Sequence, residues 1–249
     1  MKVSAVIITK NEEAMLPDCL RSLDWVDEIV VLDSGSTDRT LELARASGAK
    51  VSQSADWPGF GAQKNRAAAL AGGEWILSID ADERVTPELA AEMRRAMADA
   101  GGVSAFEVAR LSSYCGRAMR HSGWWPDYVT RLYRAGRARF SDDLVHERLI
   151  ADGPVGRLRG VLRHEPFSSL EQVLDKMNRY STLGARQMAG AGRSTGLATG
   201  VAHGLAAFVK TYLLQAGFLD GAEGFMLAVS NAEGAYYKYL KLRLLRRRS

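Results

Sequence analysis

Three short apolar runs near the start of the chain each stop on a polar or acidic side chain, and between them the apolar residues switch to helical spacing. The first run, 3–9, ends on Thr9; the second, 28–32, is followed by Asp33; the third, 75–79, is followed by Asp80. Short β-branched runs of this kind read as buried strands. The intervening segments read as helices. The first is expected to begin at Asn11–Glu12–Glu13 and to carry Leu16, Cys19, Leu20 and Leu23, with Pro17 in or near its first turn. Further helices are expected over 39–47 and 61–70, a short strand over 50–52, and a helix opened by Thr86 as N-cap with Pro87 behind it. Strand–helix alternation predicts an α/β fold: a mostly parallel, Rossmann-like sheet with helices on both faces. Ligands of such sheets sit beyond the C-terminal ends of the strands, which is where Thr9, Asp33 and Asp80 fall.

After residue 103 the alternation fades. Strands are expected over 106–111 and 130–133, and a helix over 170–187. Residues 197–248 read as two amphipathic helices joined at Gly217–Phe218–Leu219–Asp220–Gly221. The expected division is a nucleotide and acceptor domain over 1–165 and a helical region over 166–249. A chain of 249 residues, 47% hydrophobic, buries a sizeable core and is neither disordered nor a disulfide scaffold. Cys19 and Cys115 lack a CxxC partner and read as reduced thiols. The start of the chain has no signal-peptide pattern, which points to the cytoplasm. No run is expected to reach the ~20 apolar residues of a membrane span; the nearest, 197–218, is interrupted by His203, Lys210 and glycines. The net charge of +4 is concentrated in the tail between Lys238 and Arg248, a pattern that suits nucleic acid, anionic lipid or water alone.

The sharpest chemical feature is Asp80–Ala81–Asp82 at the end of an apolar strand, followed by Glu83. Two carboxylates there need a positive partner. A Mg²⁺ or Mn²⁺ ion bridging a diphosphate supplies one, because such ions take a few carboxylates together with phosphate oxygens. A lone DxD is as easily an acidic surface turn; the strand in front of this one favours the metal. Asp33, in a tight turn with Ser34–Gly35–Ser36, is suited to a nucleobase N–H or a ribose hydroxyl. Capping of the next helix is assigned instead to Asp38, which leaves Asp33 free. Thr9–Lys10–Asn11–Glu12 lies at the same edge and is suited to polar parts of a ligand or to ordinary turn chemistry. Lys64 and Arg66 reach either the ligand or solvent.

In this order, Val6–Ile7–Ile8–Thr9–Lys10–Asn11–Glu12, Val31–Leu32–Asp33–Ser34–Gly35–Ser36–Thr37–Asp38–Arg39–Thr40, Lys64–Asn65 and Asp80–Ala81–Asp82–Glu83 resemble family-2 glycosyltransferases of the GT-A fold. The resemblance implies an inverting, metal-dependent transfer from a nucleotide sugar, with a UDP-sugar the expected donor. It implies that Thr9 and Glu12 line the nucleotide site, with Asn11 and Ser36 in the same turns. It further implies that Asp33 binds the base, Lys64 helps hold the nucleotide, Asp80 contacts ribose or metal, and Asp82 ligates the metal. The later stretches Arg131–Leu132–Tyr133–Arg134, Leu144–Val145–His146–Glu147, Lys176–Met177–Asn178–Arg179–Tyr180–Ser181 and Gly217–Phe218–Leu219–Asp220–Gly221 resemble the lipopolysaccharide-core β-1,4-glucosyltransferases. That group implies glucose as the hexose and a lipid-linked acceptor on the cytoplasmic face of the membrane.

Inversion by direct displacement requires a base for the acceptor hydroxyl. Glu147, beside His146, is the first candidate; Asp142 and then Asp127 follow. The alternative for Glu147 is a structural ion pair with Arg131 or Arg148. Trp124 and Trp125 are suited to stacking on a sugar ring, although core packing is expected of at least one. The basic, aromatic C-terminal helices are suited to an anionic membrane surface, a homo-oligomer contact or packing on the sheet domain; with no RNA-binding module, nucleic acid is not an expected partner. Competing readings are transfer to polyprenyl phosphate, a non-catalytic nucleotide-sugar scaffold, and a nucleotidyltransferase, the last of which lacks its Gly-rich basic loop here.

Overall fold

A computed structural model describes residues 1–141 and 147–247. The chain divides into two compact units, Met1–Arg110 with Asp127–His164, and Leu111–Pro126 with Glu165–Ser249. Residues 111–126, assigned from sequence to the first domain, thus belong to the second.

The first unit begins with β1 (Val3–Thr9), α1 (Leu16–Arg21), β2 (Glu28–Asp33), α2 (Thr40–Ala46), β3 (Lys50–Gln53), α3 (Phe60–Ala69), β4 (Trp75–Ser78), β5 (Glu83–Val85) and α4 (Pro87–Ala98). Thr86 caps α4, accepting from the Leu89 amide, and Pro87 occupies the first turn as expected. The first helix starts at Leu16 rather than Asn11, because Asn11 sits at φ 58°, in the left-handed region that a right-handed helix cannot include. Pro17 then falls in its first turn.

Alternation along the strands feeds two cores. Val3, Ala5 and Ile7 of β1 face one side with α1 and α4 residues such as Leu20, Leu89 and Met93. Val6 faces the other side with Val30, Ile76 and Ala67 of α3. Successive strand side chains point to opposite faces, so a run apolar at every position requires helices on both. Strands β3, β2, β1 and β4 pair in parallel in that order.

Beyond β4 the sheet continues with β6 (Ala105–Tyr114), β8 (Asp127–Arg134) and β11 (Val155–His164), in the order β4-β8-β6-β11-β5. The pairs β4–β8, β6–β8 and β5–β11 are antiparallel. The expected α/β fold is therefore found, with its parallel part confined to the first four strands. A hairpin of β9 (Ala138–Phe140) and β10 (Leu149–Ala151) stands apart; β5 and β9 to β11 carry no period strong enough to have been read from the sequence.

In the second unit the end of β6 pairs with β7 (Arg117–Ala118). Helices α5 (Leu170–Gly190), α6 (Leu197–Val209) and α7 (Gly221–Arg247) follow. A π-helical turn, Lys210–Leu214, continues α6, and a 3₁₀ turn, Gly217–Asp220, leads into α7. Read as one helix, Leu197–Leu214 is long and apolar enough to cross a membrane by length and composition, and only 17% of it is buried. Trp124 packs with Tyr114 and Phe167 and so serves the core of this unit.

Buried Asp220 organises the bend. It accepts from the Arg120 amide (3.0 Å), the His121 amide (3.0 Å) and the Ser122 hydroxyl (2.9 Å), and its other contact is His121 Nδ1 at 3.1 Å. Truncating one buried carboxylate would leave several donors unsatisfied, each a cost of roughly 1–3 kcal/mol. Asp220→Ala is expected to lower unfolding stability by about 3 kcal/mol or more, measured as a shifted urea midpoint. An unchanged midpoint would show that the bend does not depend on this residue.

Candidate active site

The C-terminal edge of the parallel strands is built from interlocking turns. Thr9 and Asp33 stand opposite each other in the β1–β2 register. Asp33 is fully buried, and its Oδ1 accepts from the Gly35 and Ser36 amides, both at 2.9 Å, while Oδ2 takes Thr9 Oγ1 at 3.1 Å and the Ser36 hydroxyl. Burial acts to raise the Asp33 pKa, but these hydrogen bonds outweigh it and hold the group below the usual carboxylate range. Both oxygens of Asp33, which was expected to be left free by Asp38, take hydrogen bonds from the turn itself.

Asn11 and Ser36 join this lattice: the Asn11 amide donates to Ser36 Oγ (2.8 Å), and the Thr37 amide donates to Asn11 Oδ1 (2.8 Å). The Glu12 amide donates to Thr40 Oγ1 at 2.8 Å. The N-cap position of α2 is Arg39, without a side-chain cap, and not Asp38 as expected; Asp38 accepts from the Thr40 amide at 3.0 Å and the Glu13 amide at 3.1 Å. Gln63 of α3, wholly buried and not singled out from sequence, reaches the same turn through Nε2 to Ser34 Oγ at 3.0 Å.

After β4 the chain turns through Asp80–Ala81–Asp82. The Glu83 amide donates to the Asp80 carbonyl (2.9 Å), and Arg84 pins the turn from below, donating to the Ala81 carbonyl and the Met15 carbonyl, each at 2.7 Å. Asp80 lies between two buried cations: Lys64 Nζ is 3.0 Å from Oδ1 and Arg131 is 2.6 Å from Oδ2. Burial would raise its pKa, yet Arg131 and Lys64 drive it far below the ordinary range. Both carboxylate oxygens of Asp80, expected to contact ribose or metal, are paired with protein cations in this structure. Lys64, expected to help hold the nucleotide, carries a second ion pair here, to Glu147 Oε1 at 3.1 Å.

Arg131 meets a second acid, Glu83, at 2.6 Å, and Arg110 approaches Glu83 at 3.5 Å. Asp127, the third candidate base, is held by Arg110 at 2.7 Å. Arg66 pairs with Asp56 at 2.8 Å, away from the acids after β4.

Asp82 faces His164, with Oδ2 3.3 Å from Nε2. The antiparallel β5–β11 register, which sets His164 opposite Glu83, delivers this histidine to the turn. Nothing in the local sequence announced it; the signal is a long-range strand pairing. Among the described residues no three His, Cys, Asp or Glu side chains form a closed metal cage. What the edge offers is the Asp82–His164 pair. Next to it, burial and the charges of Asp82, Asp38 and Asp80 push Glu12 up to about 7, more than Arg84 offsets. An excess of negative charge, with two donors of mixed O and N type, fits a divalent ion that takes its remaining ligands from phosphate and water.

Glu147 is brought in from the far side by α3. Asn65 clamps β9, with Nδ2 donating to the Phe140 carbonyl (3.0 Å) and Oδ1 accepting from the Phe140 amide (2.8 Å). Gly61 allows the chain to pass close by: a Cβ there would lie 2.0 Å from the Ser141 carbonyl oxygen. The ion-pair alternative for Glu147 is found, with Lys64 as the partner instead of Arg131 or Arg148. Among the described residues, Oε2 of Glu147 has no partner. His146 and Asp142, the companion candidates, lie outside the described residues.

Arg131→Met keeps an unbranched stem but removes the guanidinium, and so leaves Glu83, which is fully buried, and Asp80 without their main cation. Removing one partner of a buried ion pair costs about 3–5 kcal/mol. The variant is expected to lose that much stability by chemical denaturation, with Arg131→Lys recovering part of it. Wild-type stability in Arg131→Met would remove the role given to this network.

Residues 4–153 match the family described as glycosyl transferase family 2. The lipopolysaccharide core biosynthesis glycosyltransferase LpsC of Rhizobium meliloti is 32% identical, over 96% of this chain and 90% of its own. An uncharacterized glycosyltransferase of Rickettsia typhi is 29% identical over 98% of this chain and 87% of its own. The crystal structure of TarS from S. aureus superimposes with a TM-score of 0.50 at 21% identity, covering 72% of this chain and 40% of that one, and so shares the fold. The fold is the GT-A type that the sequence motifs resembled. With its acids after β4 and the family match running from β1 through β10, the chain belongs to glycosyltransferase family 2.

Proposed function

We propose that this transferase moves a hexose, glucose, from a UDP-sugar to a lipid-linked acceptor of the lipopolysaccharide-core class, with inversion and with a Mg²⁺ or Mn²⁺ ion. The observation that carries the reading is the Lys64 ammonium, which joins Asp80 (3.0 Å) to Glu147 (3.1 Å) and so draws the acids after β4 and the candidate base to one spot. The acceptor class is supported by the full-length likeness to LpsC. Transfer to polyprenyl phosphate is the alternative acceptor.

In this reading the lattice of Thr9, Asn11, Asp33 and Ser36 is a rigid polar wall for the nucleotide, and its atoms are already fixed by mutual hydrogen bonds. A preformed wall loses little conformational freedom on binding. Asp82 and His164 would hold the metal ion, with Glu12 beside them. An ion held there would supply charge neutralisation for the departing diphosphate. Lys64 and Arg131 keep Asp80 ionised and fixed, and through Lys64 the same charge restrains Glu147. Glu147 takes the acceptor proton at Oε2, with Lys64 holding Oε1. A site of this kind works on the acceptor at an anionic membrane surface reached by the basic C-terminal helices.

Asp82→Ala is expected to cut UDP-sugar turnover about a hundredfold or more, since metal stabilisation of a leaving group amounts to several kcal/mol. Turnover is measured by release of UDP in the presence of Mn²⁺, with folding checked by circular dichroism; a folded, fully active variant would remove the metal role. Glu147→Gln is expected to bind UDP normally while transfer falls about 10²- to 10⁴-fold. Unchanged transfer would pass the base to Asp142 or His146.

A further inference from the structure

The second unit has an apolar surface that its own packing does not use. Along α6 and the following π-turn, Leu205 is 64% exposed, Leu213 55% and Leu214 78%. Leu197 and Val201 precede Leu205 at four-residue steps and form a ridge with it, because residues four apart share a helix face. Ala198, Ala202 and Ala206, one position on, widen the ridge to about half the helix circumference at roughly 100° per residue. Phe218 and Leu219, in the 3₁₀ turn, extend the same apolar character beyond the bend and are each at least half exposed.

The opposite side of α6 is the packed one. Gly200 and Gly204 are buried against α7, where a Cβ at Gly204 would approach Tyr236 Cβ to 3.3 Å and the Ala232 carbonyl to 3.2 Å. Thr211 is buried there and accepts from Asn231 Nδ2 at 3.1 Å. His203 stacks on Tyr239 with ring centroids 4.2 Å apart and marks one edge of the packed face. The glycine stripe therefore accounts for the contact with α7, and the leucine ridge is left over.

Charge identifies the partner. The second unit has thirteen Lys and Arg against six Asp and Glu, while the first has twenty against twenty-three. Cations stand at both ends of the ridge: Arg193 and Arg246 at the start of α6, where Arg246 Nε donates to the Arg193 carbonyl at 3.1 Å, and Lys210 where the π-turn begins. An apolar half-cylinder flanked by cations matches a bilayer interface with anionic headgroups.

We infer that α6 and its π-turn form the membrane-docking element, lying in the interface with Leu205, Leu213 and Leu214 inserted among the acyl chains. This deepens the membrane-surface reading above and moves its main contact from the basic tail to the leucine ridge. The tail is partly occupied elsewhere: Lys241 donates to the Asn178 carbonyl, Ser181 Oγ and Thr182 Oγ1 at 2.8–2.9 Å, which ties α7 to α5.

The test is flotation of the full chain with vesicles of phosphatidylcholine and phosphatidylglycerol, at low salt and in about 1 M NaCl, where the screening length is about 3 Å. The wild type is expected to float under both conditions, retaining more than half its binding in salt. A Leu205→Glu/Leu214→Glu variant is expected to bind at least about tenfold more weakly, because two buried apolar side chains become charged, with UDP-sugar turnover unchanged. Equal flotation of the variant, or loss of all wild-type binding in salt, would overturn the inference. So would a wild-type dimer by light scattering that becomes a monomer in the variant while neither floats. Should the double variant unfold, Leu214→Trp serves instead: its fluorescence is expected to shift to the blue on adding vesicles, and an unshifted spectrum would contradict insertion. Turnover is read separately, so a chain that floats but does not turn over donor would fail the catalytic proposal alone.

Discussion

The carboxylate of Asp80, held between Lys64 and Arg131, is the interaction on which the rest of the site depends. It ties three elements together: Lys64 comes from α3, Asp80 from the end of β4 and Arg131 from the antiparallel strand β8. Buried charges are tolerated only when paired and hydrogen-bonded. Asp80, Glu83, Arg131 and Lys64 satisfy one another, so removing any one leaves an uncompensated charge. The same ammonium that fixes Asp80 also fixes Glu147. Thus the position of the candidate base is coupled to the acids after β4 through a single side chain, and Asn65 and Gly61, on the same helix, hold the adjoining backbone.

This division of labour gives the two aspartates of the Asp80–Ala81–Asp82 turn different tasks. Asp80 is paired on both oxygens with protein cations, while Asp82 turns to His164 and the crowded Glu12. A turn in which one acid is saturated and its neighbour is left with an excess of negative charge suits an ion that arrives with a diphosphate.

The parallel half of the fold was legible because its strands are buried on both faces and read as unbroken apolar runs, each ended by a polar residue. Thr86–Pro87 gave the start of α4 for a local reason, the N-cap. The antiparallel half was not legible, since β11 alternates weakly and its partner β5 has only three residues. That is why His164 and the Arg131–Glu83 pairing went unseen: both depend on strand register between distant segments. The start of α1 was misread for a different reason, because only the positive φ at Asn11 separates the Thr9–Glu12 turn from a helix. Asp33 was read correctly as an edge residue but not as a saturated one, since its four donors come from backbone and hydroxyl groups that no side-chain pattern reveals.

The central claim is that a divalent ion at Asp82 and His164 joins the protein to the donor's diphosphate. Isothermal titration of UDP into the wild-type chain, once with Mn²⁺ and once with the metal chelated, tests it most directly. The account predicts binding that tightens at least about tenfold with Mn²⁺, a gain of about 1.4 kcal/mol. Equal affinity in the two titrations would contradict it.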